Sequence, residues 1–368
     1  MMTKIPFAQL INSKKPKYKD LVNLLSPINR EDIEQVRIFI DLDVVLAHYF
    51  NPLKSDPREF DEVFEDNQQP IIGDIATFCT YFRHFFASRM SKYTEFFFYF
   101  SSKVEEDSIA LCPSYKETVY RKRGVRDSVN VKSDGMLDFD ESYRRSFILN
   151  RNLITMVDKL MKFFPSAYLL DSKGRNPECI PYQIIKNVSP DMKTANLIVS
   201  DSPTVYQYLN LPDTYPFLLK GEKSKLITFD NYKGLFTKSD KGAASIKDDV
   251  SLLYEIFSLS GSSRFNVPAV QLRRKDKLIR LTPFKAAQEL SRRTIDEIVN
   301  DLPDSEKERL KKNESILRID RYFDEISRIS LIDQIQDMVD HKGLEKFLSR
   351  KCSMYGVTVN WLYEGEEY

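Results

Sequence analysis

A chain of 368 residues with 42% hydrophobic and 30% charged side chains can bury a full core, which excludes a miniprotein and wholesale disorder. Its 55 basic and 54 acidic residues leave a net charge of +1, so total charge does not announce a polyanionic partner and only local clustering can. The longest apolar runs, such as residues 96–100, are far too short to cross a bilayer, and no apolar N-terminal stretch precedes a small-residue cleavage site. A cytoplasmic, intracellular protein without a membrane partner is expected.

In chain order, the Lys-rich residues 1–30 carry a turn-like interruption at 12–16 and read as a peripheral arm. Residues 36–41 form an apolar run of strand length closing on an acid, followed by a helical pattern through His48. A helix is expected over 74–89 and a buried strand over 95–100; residues 105–138 are polar enough for an insertion. A long helix over 140–164 places Ile148, Ile154, Val157, Leu160 and Met161 at helical spacing. A strand at 167–170, a helix at 178–186, a strand at 196–200, a short helix and a strand at 226–229 continue the alternation. Beyond 245 the pattern is helical almost to the end, broken at Pro303 and Gly343, with a candidate last strand at 357–361.

Strands alternating with helices predict an α/β fold, a mostly parallel sheet flanked by helices. The expected organisation is an arm over 1–30, an α/β domain over 31–245 and a helical C-terminal region over 246–368. Cys79, Cys112, Cys179 and Cys352 are scattered without a C-x-x-C pair and read as buried thiols. His48, His84 and His341 share no ligand spacing, which argues against a zinc site or a His-based triad.

In an open parallel sheet the ligand crevice lies beyond the carboxyl ends of the strands. Asp41 closes the first strand, with Asp43 two residues on, and Asp171 and Asp201 close two later ones. Converging carboxylates could hold Mg²⁺ against a phosphodiester, where the metal offsets charge and activates water. An Asp at a strand end is equally a turn or N-cap residue.

Five fragments, in order, resemble the flap endonuclease and 5′-3′ exonuclease family, whose fold is PIN-like. Residues 39–50 look like its first strand and helix, with Asp41 in the first catalytic position. Tyr99, Phe100 and Ser101 stand where the family has an aromatic and a second metal-binding Asp, so Ser101 replaces the acid. The family's Glu-Ala-Asp-Asp motif falls on Glu178, Cys179, Ile180 and Pro181, which keeps Glu178 and loses both aspartates. Residues 199–207 resemble the strand running into Asp-x-Asp, with Ser202 and Thr204 in those places and Asp201 one residue early. Residues 261–270 match Gly-Asp-x-x-Asp-Asn-Ile-Pro-Gly-Val in frame, with Ser262 and Phe265 where the acids belong and Asn266, Pro268 and Val270 kept.

The resemblance implies a metal nuclease whose metal-binding acids are mostly replaced. A dication gives up its hydration shell only for enough negative oxygen. Asp41 and Glu178 remain as vestigial catalytic positions, and Ile180, Pro181 and Phe265 offer no side-chain ligand. No cofactor is expected, with Mg or Mn only if activity survives; the opposing reading is one weak metal site on Asp41, Asp43, Glu178 and Asp201.

The implied nucleic-acid surface comprises Tyr115, Lys116, Arg121, Lys122, Arg123 and Arg126 beside the crevice, and Arg144, Arg145 and Arg151 on the long helix. A third cluster, Arg273, Arg274 and Lys275, falls where the family has a Gly-rich hairpin gripping duplex DNA through its backbone. Residues 271–285 contain no Gly, so basic side chains would have to substitute. The leading expectation is a nuclease-derived protein that binds nucleic acid, branched or single-stranded DNA above all, in a replication, repair or transcription assembly, without efficient cleavage. An active metal-dependent 5′-3′ exonuclease and a protein-interaction subunit are the alternatives. The Phe-, Tyr-, Lys- and Asn-rich composition with 11 glycines would suit an AT-rich viral (phage) or bacterial genome.

Overall fold

The computed structural model describes residues 23–42, 79, 82–83, 85–101, 105–115, 130–131, 137–138, 167–188, 192–200, 202–218, 225–263, 265–274, 277–320 and 334. Its strands are β1 (Gln35–Asp41), β2 (Tyr93–Phe100), β3 (Asn130–Val131), β4 (Leu137–Asp138), β5 (Ala167–Asp171), β6 (Thr194–Ser200), β7 (Thr214–Leu218), β8 (Lys225–Leu226), β9 (Gln271–Arg274) and β10 (Lys277–Arg280). Among the described residues, the α-helices with both ends described are α1 (Glu106–Leu111), α2 (Ile180–Asn187), α3 (Asp240–Ala244), α4 (Leu253–Ser260), α5 (Pro283–Leu290), α6 (Ile295–Asn300) and α7 (Asp304–Leu317), and residues 85–90 are helical as well.

The main sheet runs β5-β2-β1-β6-β7-β8. All its pairings are parallel except β7 with β8. The chain winds outward from β1 in one direction through β2 and β5, then in the other through β6 and β7. The order therefore reverses between β1 and β6, which is where such sheets open a crevice at their carboxyl ends.

Burial on both faces explains the uninterrupted apolar strands. On one face Val36, Ile38 and Ile40 pack beside Phe96 and Phe98 of β2 and Ala195 and Leu197 of β6. On the other, Phe39 stacks on Phe97 at 4.8 Å and Phe97 on Tyr168 at 4.9 Å, an aromatic row across three strands. Arg37 shares that second face. Its guanidinium pairs with Glu95 at 2.8 Å and donates to the carbonyl of Val188, the residue that ends α2, at 2.8 Å. A cation there complements the carbonyl end of the helix.

The edges differ from the sequence expectation. β7 was not foreseen, because Pro216 argues against a strand. It is tolerated because β8 pairs only with Phe217 and Leu218, and the Pro216 carbonyl accepts from the Ile227 amide at 2.8 Å. The strand expected over 226–229 shrinks to Lys225–Leu226 and leaves Phe229 exposed; a short edge strand limits pairing with other chains.

Leu25 and Ile28, inside the expected arm, are fully buried in the main core. That core continues past residue 245 through Ile246, Leu253, Ile256, Leu281 and Leu310. The helical region beyond 245 contains α4 to α7 as expected, and also the unforeseen antiparallel hairpin β9–β10. A second, smaller cluster joins Cys112 and Tyr115 to Phe265, Val267, Ile316 and Leu317. Cys79, Cys112 and Cys179 are buried thiols. The helices expected over 140–164, after residue 42 and near 320–356, and the strand at 357–361, lie outside the described residues.

Candidate active site

Asp41 ends the central strand and is 4% exposed. Its register partners are Tyr99 on β2 and, one step earlier along the strand, Val199 opposite Ile40 on β6. Side chains alternate along a strand, so Asp41 shares its face with Ser200, which follows Val199. The Ser200 hydroxyl donates to Asp41 Oδ2 at 3.4 Å and accepts from the Ser202 amide at 3.1 Å.

Glu178 enters from the connection after β5. Asn176 caps a single 3₁₀ turn (Pro177–Cys179) by accepting the Glu178 amide at 3.1 Å, and this turn leads into α2. The Glu178 side chain is 3% exposed and accepts a hydrogen bond from the Thr204 hydroxyl. Thr204 lies within 2.6 Å of the Ser202 hydroxyl. A hydroxyl carries one proton; Thr204 gives its own to Glu178, so Ser202 is the donor to Thr204.

A continuous hydrogen-bonded path therefore runs from Asp41 through Ser200, Ser202 and Thr204 to Glu178. The hydroxyls of Ser200 and Thr204 donate directly to the two carboxylates, and that of Ser202 donates to Thr204. Buried carboxylates need such donors, since an unsatisfied charged group is costly to desolvate.

The floor is tied to the C-terminal helix. Asn176 Nδ2 donates to the Ile316 carbonyl at 3.4 Å and Gln207 Nε2 to the Leu317 carbonyl at 2.8 Å. These are among the last carbonyls of α7, which have no partner within their own helix. Tyr208 bridges the turn: its hydroxyl donates to the Glu178 carbonyl and accepts from the Tyr182 amide at 3.0 Å. Burial holds the Tyr208 phenol well above its ordinary range, with nearby Cys179 and Glu178 adding to the effect, so it stays a proton donor.

The structure thus brings Asp41, Glu178, Ser202 and Thr204 together at the carboxyl ends of the strands. Ser101 lies one residue past β2 and its hydroxyl accepts from the Gly174 amide at 3.0 Å, inside the turn after β5. Asp171 belongs to the opposite face, because it pairs with Phe100 rather than Tyr99. There it caps its own turn, accepting the Lys173 amide at 2.8 Å, while Gln334 clasps its backbone. Ile180 is buried in the core, and Pro181 sits in the first turn of α2.

Ser262 bridges to Val267 through paired backbone bonds of 2.9 Å, closing a tight loop after α4. Phe265 in that loop is 2% exposed and packs against the Tyr115 ring at 5.8 Å between centroids. Tyr115, expected to stack on bases, is 1% exposed and donates its hydroxyl to Glu105. Its ring belongs to the second apolar cluster, so the burial that makes it a core residue keeps it from a base in this conformation. Arg273 and Arg274 are both exposed, and Arg274 pairs with Glu289. Asp43, Lys116, Arg121, Lys122, Arg123, Arg126, Arg144, Arg145, Arg151, Asp201 and Lys275 lie outside the described residues.

No family model matches the sequence, and no curated protein matches it. Among solved structures the chain is similar to the T5 D15 protein co-crystallised with metal ions, with a TM-score of 0.48 and 11% identity over 86% of this chain and 100% of that one. It is also similar to T5 5′-exonuclease with divalent zinc ions bound, with a TM-score of 0.39 and 12% identity over 88% of this chain and 100% of that one.

Among the described residues, Asp41 and Glu178 are the acids brought together at these strand ends, and two carboxylates alone are too few for a pair of dications. Among the described residues no group of three or more His, Cys, Asp or Glu side chains could share a metal. Ile180, Pro181 and Phe265 offer no side-chain ligand, and the hydroxyls of Ser200 and Thr204 give their protons to the acids. Sequence reasoning missed Ser200, Asn176, Gln207 and Tyr208. The two-residue alternation Asn196, Ile198, Ser200 could have placed Ser200 beside Asp41; nothing in the sequence marked the other three.

Proposed function

We propose that this chain is a nuclease-derived protein that binds nucleic acid without efficient cleavage, acting in a replication, repair or transcription assembly. The observation that carries this reading is the hydrogen-bonded path from Asp41 to Glu178, in which neutral hydroxyl donors satisfy the carboxylates that a cation would otherwise engage. Two further points support it. The five resembling fragments occur in family order, and four of their positions meet at the strand ends where the sheet order reverses. A reduced number of acids also leaves too little negative oxygen to hold a pair of dications.

Branched DNA, with single-stranded and duplex arms, is the substrate class proposed for binding, through basic side chains and with Mg or Mn dispensable. A side-by-side binding and cleavage assay on flap DNA, with and without Mn²⁺, tests this. Metal-independent binding that weakens steeply with salt, with the DNA left intact, is the expected result. Cleavage in Mn²⁺ that Asp41→Ala abolishes would replace this reading with a reduced but working metal site. Neither binding nor cleavage would leave a protein-interaction subunit.

A further inference from the structure

The joint between α4 and α7 holds an acid that the strand-end site does not use. Asn313 of α7 donates to the Ser258 carbonyl of α4 at 2.9 Å, and Arg318, which caps α7, lies over the Tyr254 ring at 5.0 Å. Moving forward along α7 thus moves backward along α4, so the two helices run antiparallel and Glu255 falls beside the last turn of α7. Its Oε2 is buried and has no hydrogen-bond donor among the described residues. A carboxylate oxygen in that position is costly to charge.

Arg318 is the cation of this joint. Its Nε and Nη2 donate to the two oxygens of Asp320 at 3.0 and 2.8 Å, and it stands at the carbonyl end of α7, where positive charge complements the helix dipole. Asp320, Glu255 and Glu314 all act on that guanidinium. Other charged groups on elements packed against α4 are engaged elsewhere: Glu289 of α5 with Arg274 and Arg293, and Asp249, ahead of α4, with Lys247 and Ser251. Burial keeps the phenols of Tyr254, Tyr182 and Tyr208 protonated, and Lys186 of α2 lies over the Tyr182 ring. Glu255 is therefore a further carboxylate beside a guanidinium that Asp320 already binds.

We propose that Glu255 is a proton-operated latch between α4 and α7: neutral, it leaves Arg318 to Asp320 and lets the helices close; ionised, it contends with Asp320 for that guanidinium and loosens the end of α7. This stands apart from the nucleic-acid reading. Burial raises the Glu255 carboxyl above its ordinary range, against the pull of its own amide and of Arg318, and Glu314 and Asp320 raise it further. A folded value above the unfolded one means that the stabilisation is complete below the unfolded value, near about pH 4.3, and is lost as pH rises through the folded value. The latch closes in acid and opens as pH rises. Because the Ile316 and Leu317 carbonyls that Asn176 and Gln207 engage belong to the same turn of α7, the strand-end residues respond to this proton too.

The test is urea unfolding of the full chain from about pH 4 to about pH 7, with hydrogen exchange over residues 313–320 read at each pH. Glu255→Gln keeps the shape and cannot ionise, and Glu255→Met serves if the amide is poorly tolerated. Comparing variant and parent at the same pH cancels the titration of the other carboxylates. The variant should gain on the parent as pH rises, by up to about tenfold in the unfolding constant per pH unit, until the gap levels off. Exchange over 313–320 should slow in step, relative to the parent. In an Asp320→Asn background the gap should shrink, because Arg318 is then released to the ionised Glu255. A gap that is the same at every pH is what a merely structural residue gives, and it would overturn the latch. So would a pH-dependent gap that leaves exchange over 313–320 unchanged, or one that Asp320→Asn does not alter.

Discussion

Thr204 donates its hydroxyl proton to the carboxylate of Glu178, joining the connection after β6 to the connection after β5 at the carboxyl ends of the strands. Thr204→Val therefore leaves a buried carboxylate without that donor. The expected cost is about 1–3 kcal/mol, and Thr204→Val with Glu178→Leu should be closer to neutral than the single change because both partners go together. Urea unfolding midpoints of the two single variants and the double variant measure the coupling. Additive effects would mean that the two side chains do not depend on each other.

Gly261 ends α4 at φ +64 and ψ −164, a region that only glycine adopts without strain. A Cβ there would come within 2.3 Å of the Val267 carbonyl oxygen, which is backbone and cannot swing aside. Gly261→Ala should cost more than the roughly 1–3 kcal/mol of the strained backbone alone. Gly234 has nothing within 4 Å of its Cβ position, so Gly234→Ala should stay within about 1 kcal/mol of the parent. Thermal unfolding of the pair gives the comparison.

Arg37 and Glu95 pair at 2.8 Å on a covered face of the sheet. Removing the cation alone, as Arg37→Met, strands Glu95 and the Val188 carbonyl and should cost about 3–5 kcal/mol. Arg37→Met with Glu95→Leu should recover a large part of that loss, since an apolar pair needs no desolvation of charge. Denaturant titration decides it, and a double variant less stable than Arg37→Met would contradict this account.

Burial pushes the phenols of Tyr168 and Tyr206 up to about 12, and Tyr208 and Tyr254 are raised as well. In the unfolded chain tyrosine loses its proton near about pH 10. Above that pH the unfolded state binds fewer protons than the folded one, so stability is full below about pH 10 and falls as pH rises through the folded values. The slope is about 1.4 kcal/mol per pH unit for each such group. Urea midpoints should hold steady from neutral pH to about pH 10 and decline above it, and Tyr206→Phe should flatten the decline.

The central strands were legible because both their faces are covered, which writes them as unbroken apolar runs such as residues 95–100. β7 was hidden by Pro216, whose tolerance depends on how short β8 is. The hairpin β9–β10 was hidden by its own charges, since Arg273, Arg274 and Lys277 mask an alternation whose only buried member is Leu272. Within the site, Asp41, Glu178, Ser202 and Thr204 could be named in advance from the resemblance. Asp171 looked equivalent to Asp41, yet a register offset of one residue sends it to the other face. Tyr115 looked like a surface aromatic, and only the position of Phe265 reveals that it is core. These are facts of pairing between distant segments, which one-dimensional spacing does not contain.

Asn176 and Gln207 hold the terminal carbonyls of α7 from the two connections that follow β5 and β6. Loosening of the distal helix would thus release both loops at once, so the carboxylate cradle and the C-terminal region open as one cooperative unit. A partner that grips α7 would act on the cradle from behind, without ever entering it.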